Sequence, residues 1–183
     1  NAMPSPFPLV QKKRLENPNN ILIGHLNVNS LRNKFDSVHL LIKDQIDICL
    51  LSETKLDSSF PDQQFHINGY KLFRRNRNRF DGGLVFYVNE NIPCKILNTC
   101  DLPQNIELLL LEISLRNRKW YIVGLYKPPL LNEKYFLDNI SALINRLACQ
   151  NENMILIGDF NLTIENSTLE TFMSTFDFDN LIQ

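Results

Sequence analysis

Apolar and polar residues alternate from Ile21 to Val28, with Ile21, Ile23, His25 and Asn27 on one side and Leu22, Gly24, Leu26 and Val28 on the other. A period of two predicts a β-strand with one strongly apolar face, and its polar residues gather on the other face at its end. From Ser30 the period lengthens. Leu31, Phe35, Val38, Leu41 and Ile42 recur at helical spacing, and Ser30 stands where its hydroxyl would cap the first turn. Asn29 is thereby expected at a strand-to-helix junction.

The same motif of apolar run and polar end returns along the chain. Asp47 to Ser52 predicts a short buried strand ending at Glu53, followed by a polar loop containing Asp57, Ser58, Ser59 and Pro61. Tyr70 to Arg74, Gly83 to Val88, Cys94 to Leu97, Ile106 to Leu115 and Lys119 to Tyr126 read as strands of antiparallel meanders, parted by turn-prone residues such as Asp81-Gly82-Gly83. Pro128-Pro129 ends the last of them. Tyr135, Phe136, Ile140, Leu143, Ile144 and Leu147 then predict a second amphipathic helix. Met154 to Gly158 predicts a buried strand leading into Asp159-Phe160-Asn161, and Thr168 to Phe176 a last helix with Leu169, Phe172 and Phe176 on one side. Many strands with few helices imply an α+β fold, a two-layer β-sandwich flanked by helices, with polar residues collected at one rim.

Composition narrows this picture. With 44% hydrophobic and 21% charged residues among 183, the chain has room for one sizeable core, and a single domain is expected over residues 21–183. Residues 1–20 are expected outside it: Asn1-Ala2 before Met3 resembles a tag remnant, and Pro4, Pro6, Pro8 and the basic run Lys12-Lys13-Arg14 read as an extended arm. The longest aliphatic run, Leu108 to Leu111, is strand length, far short of the roughly 20 residues of a membrane-spanning helix. Cys49, Cys94, Cys100 and Cys149 show neither zinc spacing nor a disulfide framework, so free thiols are expected. A net charge of −1 argues against coating a polyanion by bulk electrostatics, so any nucleic-acid contact must be local.

Four predicted strands deliver Asn27 and Asn29, Glu53, Tyr126, and Asp159 with Asn161 to loop junctions. Singly, each has an ordinary explanation as a helix cap or solvated loop residue. Together, two carboxylates and several amide oxygens form a hard-oxygen set suited to Mg²⁺ or Mn²⁺, which one or two carboxylates commonly hold beside a substrate phosphate.

The words around these residues carry a resemblance. Leu26-Asn27-Val28-Asn29-Ser30-Leu31-Arg32, Leu51-Ser52-Glu53-Thr54-Lys55, Gly124-Leu125-Tyr126 and Gly158-Asp159-Phe160-Asn161 resemble, in order, signature motifs of the endonuclease/exonuclease/phosphatase superfamily. Gly82-Gly83-Leu84-Val85-Phe86-Tyr87-Val88 and Tyr126-Lys127-Pro128-Pro129 are similar to the endonuclease domains of LINE-type, non-LTR retrotransposons. The resemblance implies a Mg²⁺- or Mn²⁺-dependent DNA endonuclease that nicks a target and leaves a 3′-hydroxyl for reverse transcription. By it, Glu53 is the principal metal ligand, with Asn27 and Asn29 beside it at the metal and phosphate. Tyr126 contacts the scissile phosphate, Asp159 orients or activates water, and Asn161 hydrogen-bonds the phosphate. The implied partners are DNA and a reverse transcriptase domain in the same polyprotein, and the implied location is intracellular, nuclear in a eukaryote.

One family motif, a Ser-Asp-His near the domain's end, has no counterpart before Gln183, so the fold is expected to lack its last strands and the fragment to turn over weakly or not at all. An uncovered sheet edge would then favour self-association. His25 is expected to be a half-buried structural histidine. The one strongly basic stretch, Lys71 to Phe80, groups Lys71, Arg74, Arg75, Arg77 and Arg79; it reads either as a grip on the DNA backbone, through Arg74, Arg75, Arg77 and Arg79, or as a solvated hairpin. Two other functions stay open: a phosphoesterase for small molecules or lipids, which the basic stretch disfavours, and a non-catalytic module that binds nucleic acid or protein.

Overall fold

The computed structural model describes residues 7–99, 101–150, 153–162 and 167–181. Strand β1 (Ile23–Asn27) pairs in parallel with β2 (Ile48–Ser52), Asn27 lying opposite Ser52, so both strands end at one rim. β3 (Tyr70–Arg75) and β4 (Leu84–Asn89) complete a four-stranded sheet of order β1-β2-β4-β3. A second sheet has the order β5-β6-β7-β8, from β5 (Cys94–Leu97), β6 (Glu107–Leu115), β7 (Arg118–Tyr126) and β8 (Met154–Asp159). Its last pair is again parallel, with Tyr126 opposite Asp159. Each sheet therefore brings two parallel strand ends to the rim.

The sheets pack face to face on a core that includes Ile48, Leu50, Phe86, Leu109, Leu111 and Ile122. The outer face of the first sheet is covered by helix α2 (Phe35–Ile42) through Val38, Leu41 and Ile42, and that of the second by α3 (Glu133–Ala148) and α4 (Ser167–Thr175). Strands buried on both faces read as continuous apolar runs rather than alternation, which accounts for Ile48 to Leu51 and Leu108 to Leu111. A Cβ at Gly124 would stand 2.5 Å from Cε2 of Phe86, so this glycine sets the close approach of the two sheets.

Two expectations are corrected. The arm is not extended where it is described: Phe7–Glu16 is a helix, α1. Arg14 at its end donates from Nη2 to Asp47 at 2.5 Å and from Nε to the Gln45 carbonyl at 2.9 Å, so one of its basic residues is a tether to the sheet. Residues 1–6, including Asn1-Ala2, lie outside the described residues. Second, Ser30 does not cap α2, which begins at Phe35 after Lys34 and has no side-chain cap. Ser30 and Leu31 instead donate their amides to the carbonyls of Glu53 and Thr54, at 2.8 and 3.0 Å, binding the loop to its neighbour. The antiparallel meanders are present as β3-β4 and β5-β6-β7, with β4 inserted between β2 and β3.

Candidate active site

The rim gathers the side chains that the strand ends deliver. Asn27 closes β1, Glu53 follows β2, Tyr126 closes β7 and Asp159 closes β8. The Asn27 Nδ2 donates to Glu53 Oε1 at 2.8 Å and to Asp159 Oδ2 at 2.9 Å. One amide nitrogen thus bridges two carboxylates that come from opposite sheets. Its own Oδ1 accepts the Asn29 amide at 3.1 Å, which fixes the side chain's orientation. Tyr126 is buried, and its hydroxyl donates to Glu53 Oε1 at 3.3 Å. Burial, and then the Glu53 carboxylate, raise that hydroxyl's pKa above the ordinary tyrosine range, so it remains a donor.

The backbone here is held in unusual conformations. Asn29, Ser30, Glu53, Lys55 and Asn161 have φ of 42°, 83°, 53°, 54° and 44°, left-handed values that non-glycine residues seldom adopt. Gly158 precedes Asp159 at φ 150°, where a Cβ would collide with the Leu125 carbonyl; glycine lets β8 press against β7 immediately before the carboxylate.

Asn29 and Asn161 are in the site but differently engaged from Asn27. Lys55 Nζ donates to Asn29 Oδ1 at 2.6 Å, which brings a cation to the rim without an ion pair to either carboxylate. Asn161 donates Nδ2 to the Lys127 carbonyl at 2.7 Å, and its amide to Asp159 Oδ1 at 3.2 Å. Its amide NH₂ therefore braces the β7 exit rather than pointing into the site. His25 is half-buried and its Nε2 lies 2.9 Å from Ser52 Oγ, the structural placement expected of it. Burial lowers its pKa, against an opposing pull from Asp159.

The basic stretch is largely self-paired. Arg74 contacts Asp62 at 3.0 Å and the Phe60 carbonyl at 2.6 Å, and Arg75 donates to the carbonyls of Leu108 and Gln104, each at 3.3 Å. Both hold strand β3 to its surroundings. Arg77 pairs with Glu107 at 2.7 Å and Asp81 at 3.1 Å, and Arg79 with Asp57 at 3.1 Å; these two remain exposed. The run of five basic residues is therefore not a continuous open patch, because nearby carboxylates and carbonyls engage the four guanidinium groups and Lys71 Nζ donates to the Ile92 carbonyl at 2.9 Å.

Sequence reasoning missed Lys55 as a site cation and Glu107 and Lys127 as buried charged residues, 3% and 1% exposed. The available signal was a lone charge at the end of an apolar strand, which by itself reads as solvated.

The donor set fits a hard divalent cation. Glu53 and Asp159 converge on one point, and among the described residues neither has an ion-pair partner, so two anionic charges face each other across only an amide. Among those residues there is also no group of three or more His, Cys, Asp or Glu that forms an all-protein cage. Two carboxylates with an amide and water are a common complement for Mg²⁺.

Known proteins agree with this fold. The endonuclease domain of TRAS1, a telomere-specific non-LTR retrotransposon, is similar with a TM-score of 0.62 at 14% identity, over 86% of this chain and 71% of that one. The 3′ phosphatase NExo from Neisseria, bound to a product DNA hairpin, matches at TM-score 0.56 and 18% identity, over 78% of this chain. An AP endonuclease from Archaeoglobus fulgidus matches at 0.54 and 20%, over 80%. This chain spans 58% and 59% of the lengths of those last two proteins. No curated protein sequence matches it. No helix among the described residues is long and apolar enough to cross a membrane. The family model for endonucleases, exonucleases and phosphatases matches residues 24–179, a span that holds the described strands save the first residue of β1, and the whole rim, and the chain belongs to that endonuclease/exonuclease/phosphatase family.

Proposed function

We propose that this chain is the metal-binding part of a DNA-nicking phosphodiesterase of the retrotransposon type. The observation that carries the reading is the convergence of Glu53 and Asp159 on the Asn27 amide, with the Tyr126 hydroxyl on Glu53. Glu53, and Asn27 once its amide turns to present Oδ1 in place of the Nδ2 that now faces the carboxylates, would hold Mg²⁺ or Mn²⁺. When bound, such an ion polarises a phosphoryl oxygen and stabilises charge on the leaving oxygen. Asp159 accepts the proton of the attacking water as its oxygen bonds to phosphorus and the bond to the 3′-oxygen breaks, and the departing 3′-oxyanion takes a proton from solvent water to become the 3′-hydroxyl. Tyr126, Asn29 with Lys55, and Asn161 once its amide turns from Lys127, supply donors to the phosphate. Arg77 and Arg79, the exposed pair of the basic stretch, contact the DNA backbone by exchanging Asp81 and Asp57 for phosphates, Arg77 keeping its bond to the buried Glu107.

Among the described residues no histidine hydrogen-bonds Glu53, Asp159 or Tyr126. A missing acid/base or electrostatic partner typically costs about 10²- to 10⁴-fold in rate, so turnover of this chain should be weak. A wider reading, in which nicking primes a reverse transcriptase in the same polyprotein, rests on the sequence motifs and the TRAS1 likeness.

Calorimetric titration of Mn²⁺ and Mg²⁺ into the parent and Glu53→Gln, with plasmid nicking and salt-dependent DNA binding read on the same samples, tests the proposal. Binding to the parent that the variant loses, with slow metal-dependent nicking, is the expected result. A parent that binds no metal defeats the enzyme reading and leaves a binding module. An unchanged salt slope on replacing Arg77 and Arg79 with alanine removes them from the DNA contact.

A further inference from the structure

Among the described residues, Glu107 is the buried acid, and the chemistry proposed above does not use it. It opens β6 directly opposite Tyr126 in the register with β7. Its Oε2 accepts the Gly83 amide at 2.6 Å, and its Oε1 accepts Arg77 Nη1 at 2.7 Å. Both carboxylate oxygens are thereby engaged, as a carboxylate only 4% exposed at its side chain requires.

What Glu107 holds matters more than that it is satisfied. Gly82 and Gly83 run at φ 65° and 90° between Glu107 and the residues after Glu53. A Cβ at Gly82 would lie 2.6 Å from the Arg77 Cδ and 2.8 Å from Glu107 Oε2, and one at Gly83 would lie 2.6 Å from Thr54 Oγ1. On the far side of this glycine pair, the Gly83 carbonyl accepts the Thr54 amide at 3.2 Å, and the Gly82 carbonyl accepts the Lys55 amide at 2.9 Å. A continuous chain of hydrogen bonds therefore runs from the second sheet to the turn that carries Glu53 and Lys55. That turn has left-handed φ at both residues and needs external support to persist.

We infer that Glu107 is a positioning residue, which presses the Glu53–Lys55 turn into place from behind through the Gly82–Gly83 pair. The inference deepens the metal-site reading and rests on it for what the turn positions. Groups behind a metal ligand commonly govern affinity or activity by about 10- to 100-fold. The essential feature is an oxygen at full reach of the Gly83 amide, not the negative charge as such.

Two substitutions separate these. Glu107→Gln keeps an acceptor at the same reach for Gly83 and loses the charge, releasing Arg77 to its other partner, Asp81, while Glu107→Asp keeps the charge and withdraws the acceptor by a methylene. Amide hydrogen exchange at Gly83, Thr54 and Lys55 reads the tether without metal or DNA, and Mn²⁺ calorimetry reads its consequence. Glu107→Asp should speed exchange at those three amides roughly tenfold or more, as a lost charge-assisted hydrogen bond would. It should also weaken Mn²⁺ binding by about 10- to 100-fold. Glu107→Gln should stay within about threefold of the parent in both. A folded Glu107→Asp with parental exchange overturns the inference, as does a folded Glu107→Gln that loses Mn²⁺. If Glu107→Asp does not fold, the Glu107→Gln arm decides alone. If the parent binds no Mn²⁺, the metal reading fails, and exchange still decides whether the tether exists.

Discussion

The strained residues sit together. Five of the nine non-glycine residues with positive φ among those described flank the rim, at Asn29, Ser30, Glu53, Lys55 and Asn161. Each costs on the order of 1–3 kcal/mol and persists only where neighbours over-determine it. The neighbours here are the cross-loop bonds of Ser30 to Glu53, Leu31 to Thr54 and Lys55 to Gly82. Asn27, Glu53 and Asp159 were legible beforehand because each ends an apolar run, and the rigid strand behind it fixes where it lies. Glu107 was not legible, since a charge flanking Leu108 to Leu111 looks solvated until the fold buries it. His25 yields a pH prediction. Burial lowers its folded pKa, so the unfolded chain takes up a proton more readily, and stability falls as pH drops from the ordinary histidine value of about 6.5. Urea midpoints at mildly acidic and mildly alkaline pH should differ more for the parent than for His25→Asn. Equal differences would show that His25 stays uncoupled from folding.

At the scale of elements, local pattern and tertiary context divided the outcome. β5 and α3 were readable because their periodicity matches the faces they bury. The start of α2 was not, because helical spacing from Leu31 onward also describes a loop whose Leu31 side chain is buried while its backbone pairs with the Glu53 loop. Helix α1 was missed because Pro8, the prolines that precede the helix and its basic run resemble a leader, and its docking depends on a distant residue, Asp47. Gly124 carries the element-scale prediction. Gly124→Ala keeps allowed strand geometry yet pushes a methyl into Phe86, so it should destabilise the fold by about 1–3 kcal/mol. Chemical denaturation checks this, and a second change, Phe86→Leu, should recover part of the loss. A neutral Gly124→Ala would mean that the sheets separate freely there.

For the molecule as a whole, the sandwich leaves β1 and β8 as the outer strands nearest the site among the described residues, and both are only partly buried. Open strand edges present unpaired backbone donors and acceptors to a second chain. Sedimentation of this chain at increasing concentration should therefore show self-association; a monomer throughout would mean that these edges are adequately blunted. The sequence by itself determined the strand-rich α+β class, the lengths of most elements and the polar residues at strand ends, because periodicity and turn chemistry act over a few residues. Only the tertiary structure decided that Glu53 and Asp159 meet on Asn27, that Arg74 and Arg75 serve the scaffold, and that Glu107 is buried behind the site. Those outcomes depend on strand order and sheet packing between residues up to 132 positions apart, over which no local pattern extends.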